Sequence, residues 1–143
     1  MMFAVIRVRG TVDKKKEINA TMKMMRLTRV NHCVVVRKEP QIEGMIKKVK
    51  DFVTWGEISE ATLEKLVASR GRMEGDKKLD ETAAKEVAAT IKKQKNMNDI
   101  KGFKPLFRLS PPRKGYEGIK RAFPKGALGY RGDKINKLIE RMM

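Results

Sequence analysis

Apolar and polar positions change period several times along this chain, and each change marks an element. Phe3–Arg9, "FAVIRVR", places Ala4, Ile6 and Val8 on one side of an extended chain and Val5, Arg7 and Arg9 on the other. That period of two predicts a strand, ended by Gly10. From Lys14 the period lengthens. In "KKEINATMKMMRLTR" Ile18, Met22 and Met25 fall at i, i+4 and i+7 and line one face of a helix, with Lys23, Arg26 and Arg29 mostly off it. "HCVVVRK" is rich in β-branched residues and predicts a second strand. Pro40 stands where a helix start tolerates its missing N–H. Ile42, Met45, Ile46 and Val49 then repeat at i, i+3, i+4 and i+7. Gly44 inside that helix costs roughly 1 kcal/mol against alanine, which a close helix–sheet contact would explain. "DFVTWG" predicts a third strand closed by Gly56.

Residues 1–57 therefore read strand-helix-strand-helix-strand, with both helices on one face of a three-stranded sheet. "CVVV" and "FVTW" do not alternate cleanly, so the second sheet face needs cover from later residues. Ser59 can cap a helix carrying Leu63, Leu66 and Val67, which Gly71 ends. "GRMEGDKK" reads as a loop. Asp80 can cap a further helix with a Leu79–Ala84 staple and an apolar face of Ala83, Val87, Ala88 and Ile91. "FKPLFRLSPP" is extended, and Pro105 limits it to an edge strand. No regular element fits Ser110–Gly132. "DKINKLIERM" predicts a closing helix on Ile135, Leu138 and Ile139. The expected organisation is an α+β core over 1–57, a helical extension packed on it over 58–105, and a basic Gly/Pro-rich segment with a terminal helix over 106–143.

Composition narrows the function. The 143 residues hold 41% hydrophobic residues, enough for a modest core. No apolar run approaches a membrane span, and the N-terminus lacks the pattern of a signal peptide, so a cytoplasmic protein is expected. One cysteine, Cys33, excludes a disulfide within the chain, and with one histidine, His32, it argues against a metal site within one chain. Net charge is +17 and unevenly placed: residues 1–50 hold thirteen Lys/Arg against four acids, 51–100 nine against ten, and 101–143 twelve against three. Two basic ends around a neutral middle predict a surface that meets a polyanion.

Catalytic chemistry has little to build on. His32 and Cys33 are neighbours on a strand and point to opposite faces. The acids look like helix caps and partners of lysine, and no phosphate loop is spaced correctly. No catalytic residue, cofactor, metal or small-molecule substrate is expected. Nucleic acid fits better. Each phosphate neutralised by a cation contributes a log–log salt slope near −0.9 on duplex DNA and about −0.7 on single strands. In Ser110–Gly132, glycines permit close backbone approach and prolines limit the entropy lost on ordering. Tyr116, Phe123 and Tyr130 can stack on unpaired bases or anchor the segment to the body, and both readings stand.

The stretch "TMKMMRLTRVNHCVVVRKEPQIEGMIKKVKDFVTWG" resembles the large-subunit ribosomal protein family numbered thirty in bacteria. Its motifs appear as Arg29-Val30-Asn31-His32 and Pro40-Gln41-Ile42-Glu43-Gly44-Met45-Ile46. The family places Gly or Asn before the histidine, and Asn31 fits. "TWGEISEATLEKLVASRG", "FRLSPPRKG" and "GDKINKLIERMM" resemble the longer archaeal and eukaryotic forms, the eukaryotic one being called protein seven. The likeness is weakest over roughly 72–100. It implies a three-stranded antiparallel sheet with two helices on one face, similar to a ferredoxin-like fold. It also implies a structural ribosomal component bound to large-subunit rRNA and neighbouring ribosomal proteins.

The expected RNA-binding residues are Arg7, Arg9, Arg26, Arg29, His32, Arg37 and Lys38 in the core, and Arg113, Lys114, Lys120, Arg121, Lys125 and Arg131 in the basic segment. That segment is expected to be held by RNA and to order fully on binding. Two alternatives remain: a free RNA-binding regulator, and an acyl-phosphate hydrolase holding phosphate with Asn19 and Arg29.

Overall fold

The computed structural model describes residues 2–10, 16–73, 75, 77–78, 80–93, 106–116, 118, 121–123 and 125–143. Leu79, Pro105 and Lys120, with the readings placed on them, lie outside the described residues. Five elements appear in the order the periods predict: β1 (Met2–Arg7), α1 (Lys16–Met24), β2 (His32–Arg37), α2 (Pro40–Lys48) and β3 (Val53–Glu57). β1 lies between β2 and β3 and is antiparallel to both. The register pairs Val5 with Val34 and Trp55, and Ala4 with Val35 and Gly56. Directly opposed residues share a face. Phe3, Val5 and Arg7 thus face one way, and Met2, Ala4 and Ile6 the other.

α1 and α2 cover the first face. The Leu27 carbonyl, just past α1, accepts from Arg7, and Ile46 of α2 shares a hollow with Phe3 and Trp55. α1 stops at Met24, short of the predicted Arg29. Arg26 takes a left-handed φ of 63°, with Arg26 N–H donating to Lys23 O (3.0 Å) and Leu27 N–H to Met22 O (2.9 Å). This paired closure ends a helix outright. Met22, Met25 and Leu27 stay buried because the chain folds back onto the same core. Gly44 is exposed, and a Cβ there would meet nothing within 4 Å. The expected helix–sheet approach at Gly44 is therefore not found.

The second face is covered from beyond residue 57. α3 (Glu60–Arg70) starts at Ser59, whose Oγ accepts from Thr62 N–H at 3.2 Å. The loop expected over "GRMEGDKK" contains a small hairpin, β4 (Arg72–Met73) with β5 (Lys77–Lys78). α4 (Glu81–Lys92) is capped by Asp80 Oδ1 on Ala83 N–H at 2.7 Å. It packs on α3 through Ala84, Val87, Ala88 and Ile91, and Lys92 bridges to Glu60 and Glu64.

β6 (Phe107–Arg108) pairs antiparallel with β2, and β7 (Gly129–Tyr130) parallel with β3. The sheet runs β6-β2-β1-β3-β7, so the antiparallel three-stranded centre gains a parallel edge and becomes mixed. A 3-10 turn, Gly132–Lys134, leads into α5 (Ile135–Met142), which seats on β3 with Ile135, Leu138, Ile139 and Met142 buried. Gly56 does not close its strand, which runs on to Glu57. It makes room for this seat: a Cβ there would lie 2.1 Å from Gly132 O and 2.8 Å from Ile135 Cβ.

Candidate nucleic-acid interface

β1 ends where β2 and β3 begin, so Arg9, His32 and Phe52 come to one end of the sheet. Asn31 organises that end. Its φ of 70° suits asparagine better than most residues. Its N–H donates to Arg7 O (2.8 Å), its carbonyl accepts from Leu109 N–H (3.2 Å), and its Oδ1 accepts from the Tyr116 hydroxyl (2.6 Å). The last bond spans 85 residues. Burial holds the Tyr116 phenol well above its usual pKa, so it stays a donor.

The protein itself fastens Ser110–Gly132 at several points, which corrects the expectation that RNA alone holds it. Ser110 N–H donates to Met142 O (3.0 Å), and Arg113 N–H to Arg141 O (3.1 Å). Arg141 returns Nε to Arg113 O (2.9 Å) and Nη2 to Gly115 O (2.6 Å). Ala127 and Leu128 pack with Val8 against Tyr116. Arg131 donates to Thr54 Oγ1 (2.8 Å) and Ala127 O (3.1 Å), and its guanidinium lies 5.2 Å from the Phe123 ring centre. Of the three aromatics, Tyr116 is an anchor, Phe123 is half-buried beside Arg131, and Tyr130 is 50% exposed beside Phe3 and Trp55.

The expected site residues divide. Arg26, Arg29, Arg113, Lys114, Arg121 and Lys125 are exposed. Arg9 lies 5.4 Å from the centre of the Phe52 ring. His32 is half-buried opposite Arg108. Burial, then Arg108, Arg29 and Arg7, push its pKa below the ordinary histidine value. Arg7 corrects the sequence reading. It is 1% exposed, with Nη1 on Leu27 O (2.8 Å) and Nε on Arg9 O (2.9 Å). Alternation gave its side of the strand but not the turn after α1 that closes over it. Its guanidinium ties that turn to the sheet and is not surface. Arg131 likewise spends its donors on the protein.

Arg37 and Lys38 sit at the other end of β2, about 17 Å from His32 by strand rise. They pair with Glu39 at 3.1 Å and Glu57 at 4.0 Å. The single core surface expected from sequence is therefore split. Four cations were missed. Arg108 stands on β6 beside His32. Lys134 at the end of the 3-10 turn, with Lys137 and Arg141 on α5, follow at i, i+3 and i+7 and gather with Tyr116 and Phe123. That spacing was readable, but the apolar stripe of the same helix drew the assignment.

Among the described residues no three His, Cys, Asp or Glu side chains group to hold a metal. Cys33 is fully buried and its thiol pKa is pushed far up by burial, so it offers no thiolate. Asn19, which the hydrolase alternative pairs with Arg29, keeps its Oδ1 in the interior. No described helix is long and apolar enough to cross a membrane.

Fold and site together define a small α+β protein with a strongly cationic surface. The family model described as Ribosomal protein L30p/L7e matches residues 3–53. Proteins named large ribosomal subunit protein uL30 align along nearly the whole chain. The one from Methanosphaera stadtmanae is 44% identical, over 99% of this chain and 100% of its own length. That of Methanococcus vannielii is 49% identical over 100% of both. That of Archaeoglobus fulgidus is 43% identical over 99% of both. The chain belongs to the ribosomal protein L30p/L7e family. This is a family of structural proteins, not of enzymes.

Proposed function

We propose that this protein is a structural constituent of the large ribosomal subunit in the cytoplasm, and that it binds large-subunit rRNA with the end of the sheet around Asn31. The observation that carries this reading is the Asn31–Tyr116 junction, a hydrogen bond that ties the two basic ends of the chain to each other. Arg9, Arg26, Arg29, His32 and Arg108 come from one side of the junction or from the adjacent β6, and Arg113, Lys114, Arg121 and Lys125 from the other. Lysine and arginine side chains gain by displacing counterions on phosphate. Their low reorganisation cost comes from the fold, since both ends are fixed before RNA arrives. The near-neutral α3–α4 pair leaves a flank suited to neighbouring ribosomal proteins.

The test is sedimentation of cell lysate on a sucrose gradient after a high-salt wash. The protein is expected to remain with the large subunit at one copy per particle. Release by the wash, or migration at the top, would overturn the reading in favour of a free RNA-binding regulator.

A further inference from the structure

The hollow beside α5 has a chemistry that its surroundings do not use. Tyr116 and Phe123 form aromatic walls, Leu138 adds an apolar wall, and Lys134, Lys137 and Arg141 supply charge. No acid among the described residues lines it. Lys134 and Lys137 are exposed and have no acidic partner among the described residues. Arg141 is held by the Arg113 and Gly115 carbonyls through Nε and Nη2, which fixes the guanidinium while leaving Nη1 uncommitted. The Tyr116 hydroxyl is committed to Asn31, so that ring is a wall and not a reader of hydrogen bonds.

We infer that this hollow takes one unpaired nucleotide of RNA, its base against Phe123 and its phosphate on Lys134, Lys137 and Arg141. Two features select that ligand. Phosphate alone would use the cations and leave the aromatic walls idle, while a duplex buries the base faces those walls would meet. A base with its own phosphate uses both, and stacking tolerates any base. The Arg131 guanidinium beside Phe123 stiffens the ring in place. This inference rests on the proposed rRNA binding and locates a single-stranded contact within it.

The experiment uses full-length protein and transcribed large-subunit rRNA carrying thiouridine. In the wild type, photocrosslinking is expected to map to the peptide containing Phe123. Phe123→Leu preserves apolar packing beside Arg131 and is expected to lose that crosslink. Its affinity should fall roughly five- to a hundredfold, the range for losing one stacked base, with the salt slope unchanged. Lys134→Gln with Lys137→Gln, both at exposed positions, should keep the circular dichroism spectrum. The log–log salt slope should become shallower by about 0.7, one single-strand phosphate contact. Wild-type binding with a crosslink elsewhere and unaffected variants would overturn this inference and leave the proposed function standing. Displacement of the crosslink by uridine monophosphate as efficiently as by RNA would also overturn it, reassigning the hollow to a free nucleotide. No wild-type binding at low salt would overturn both.

Discussion

Arg26 stands where a helix end normally takes glycine. A left-handed φ costs a side chain roughly 1–2 kcal/mol, yet the closing hydrogen bonds of α1 hold Arg26 there at φ 63° and keep it exposed. Arg26→Gly is expected to raise stability by about 1 kcal/mol in urea unfolding while weakening rRNA binding. A variant that binds as tightly as wild type would remove Arg26 from the proposed interface. His32 gives a second handle, because it is the chain's sole histidine. Its folded pKa is lowered, so the neutral ring is favoured in the fold. That stability is present above the ordinary histidine pKa near 6.5 and declines as pH falls through the lowered value. Proton NMR of the free protein should place the imidazole midpoint below 6.5. Bound phosphate nearby would raise it, so affinity for rRNA should increase as pH falls through that window. A midpoint unchanged by RNA would place His32 away from phosphate. At this scale the sequence was a partial guide. The Arg-Val-Asn-His motif was visible, but the reason for Asn31 lies in its φ and its bond to Tyr116. Arg7 was misread because a strand pattern does not reveal which loop covers it.

Two glycines show how an element's surroundings decide the sign of one substitution. Gly44 lies in α2 with open space around it, so Gly44→Ala should stabilise by about 1 kcal/mol through helix propensity. Gly56 lies on β3 under the Gly132 carbonyl and Ile135, so Gly56→Ala should destabilise by about 1–3 kcal/mol through overpacking. Urea midpoints moving in opposite directions, with slopes unchanged, would confirm both. Equal effects would mean that α5 does not seat on β3 in solution. The long elements were legible, because nine or more residues of α1, α2 and α4 repeat an apolar face, and Ser59 and Asp80 mark the starts of α3 and α4 at the expected positions. β4, β5 and β7 were not legible as strands, whereas β6 falls at the sheet edge within the stretch expected to be an edge strand at best. Two residues carry no period, and the pairing of β6 and β7 is set by partners far along the chain.

Across the whole molecule, the charge asymmetry of the two chain ends was plain in the sequence, but their meeting was not. Nothing local links Asn31 to Tyr116. The docked segment makes a prediction about proteolysis. Backbone groups of Arg113, Arg121 and Arg131 are engaged in hydrogen bonds, whereas Lys125 is exposed at a turn. Among the cations of Arg113–Arg131 in the described residues, trypsin should cut free protein first after Lys114 and Lys125, both exposed at turns, and rRNA should protect those bonds. Earlier cleavage after Arg131 would show that the segment is undocked without RNA.

The seat of α5 on the sheet has a consequence for synthesis. A ribosome releases β1, β2 and β3 long before α5, so Ala4, Ile6 and Cys33 wait uncovered while the intervening chain is made. The three strands can pair early, but one side of the nascent sheet stays adhesive until Ile135, Leu138 and Ile139 arrive. Translation halted before Ile135 would yield a product with a nearly complete fold and an open greasy face. Such a product calls for a holding chaperone and, once released, is a substrate for degradation rather than for assembly.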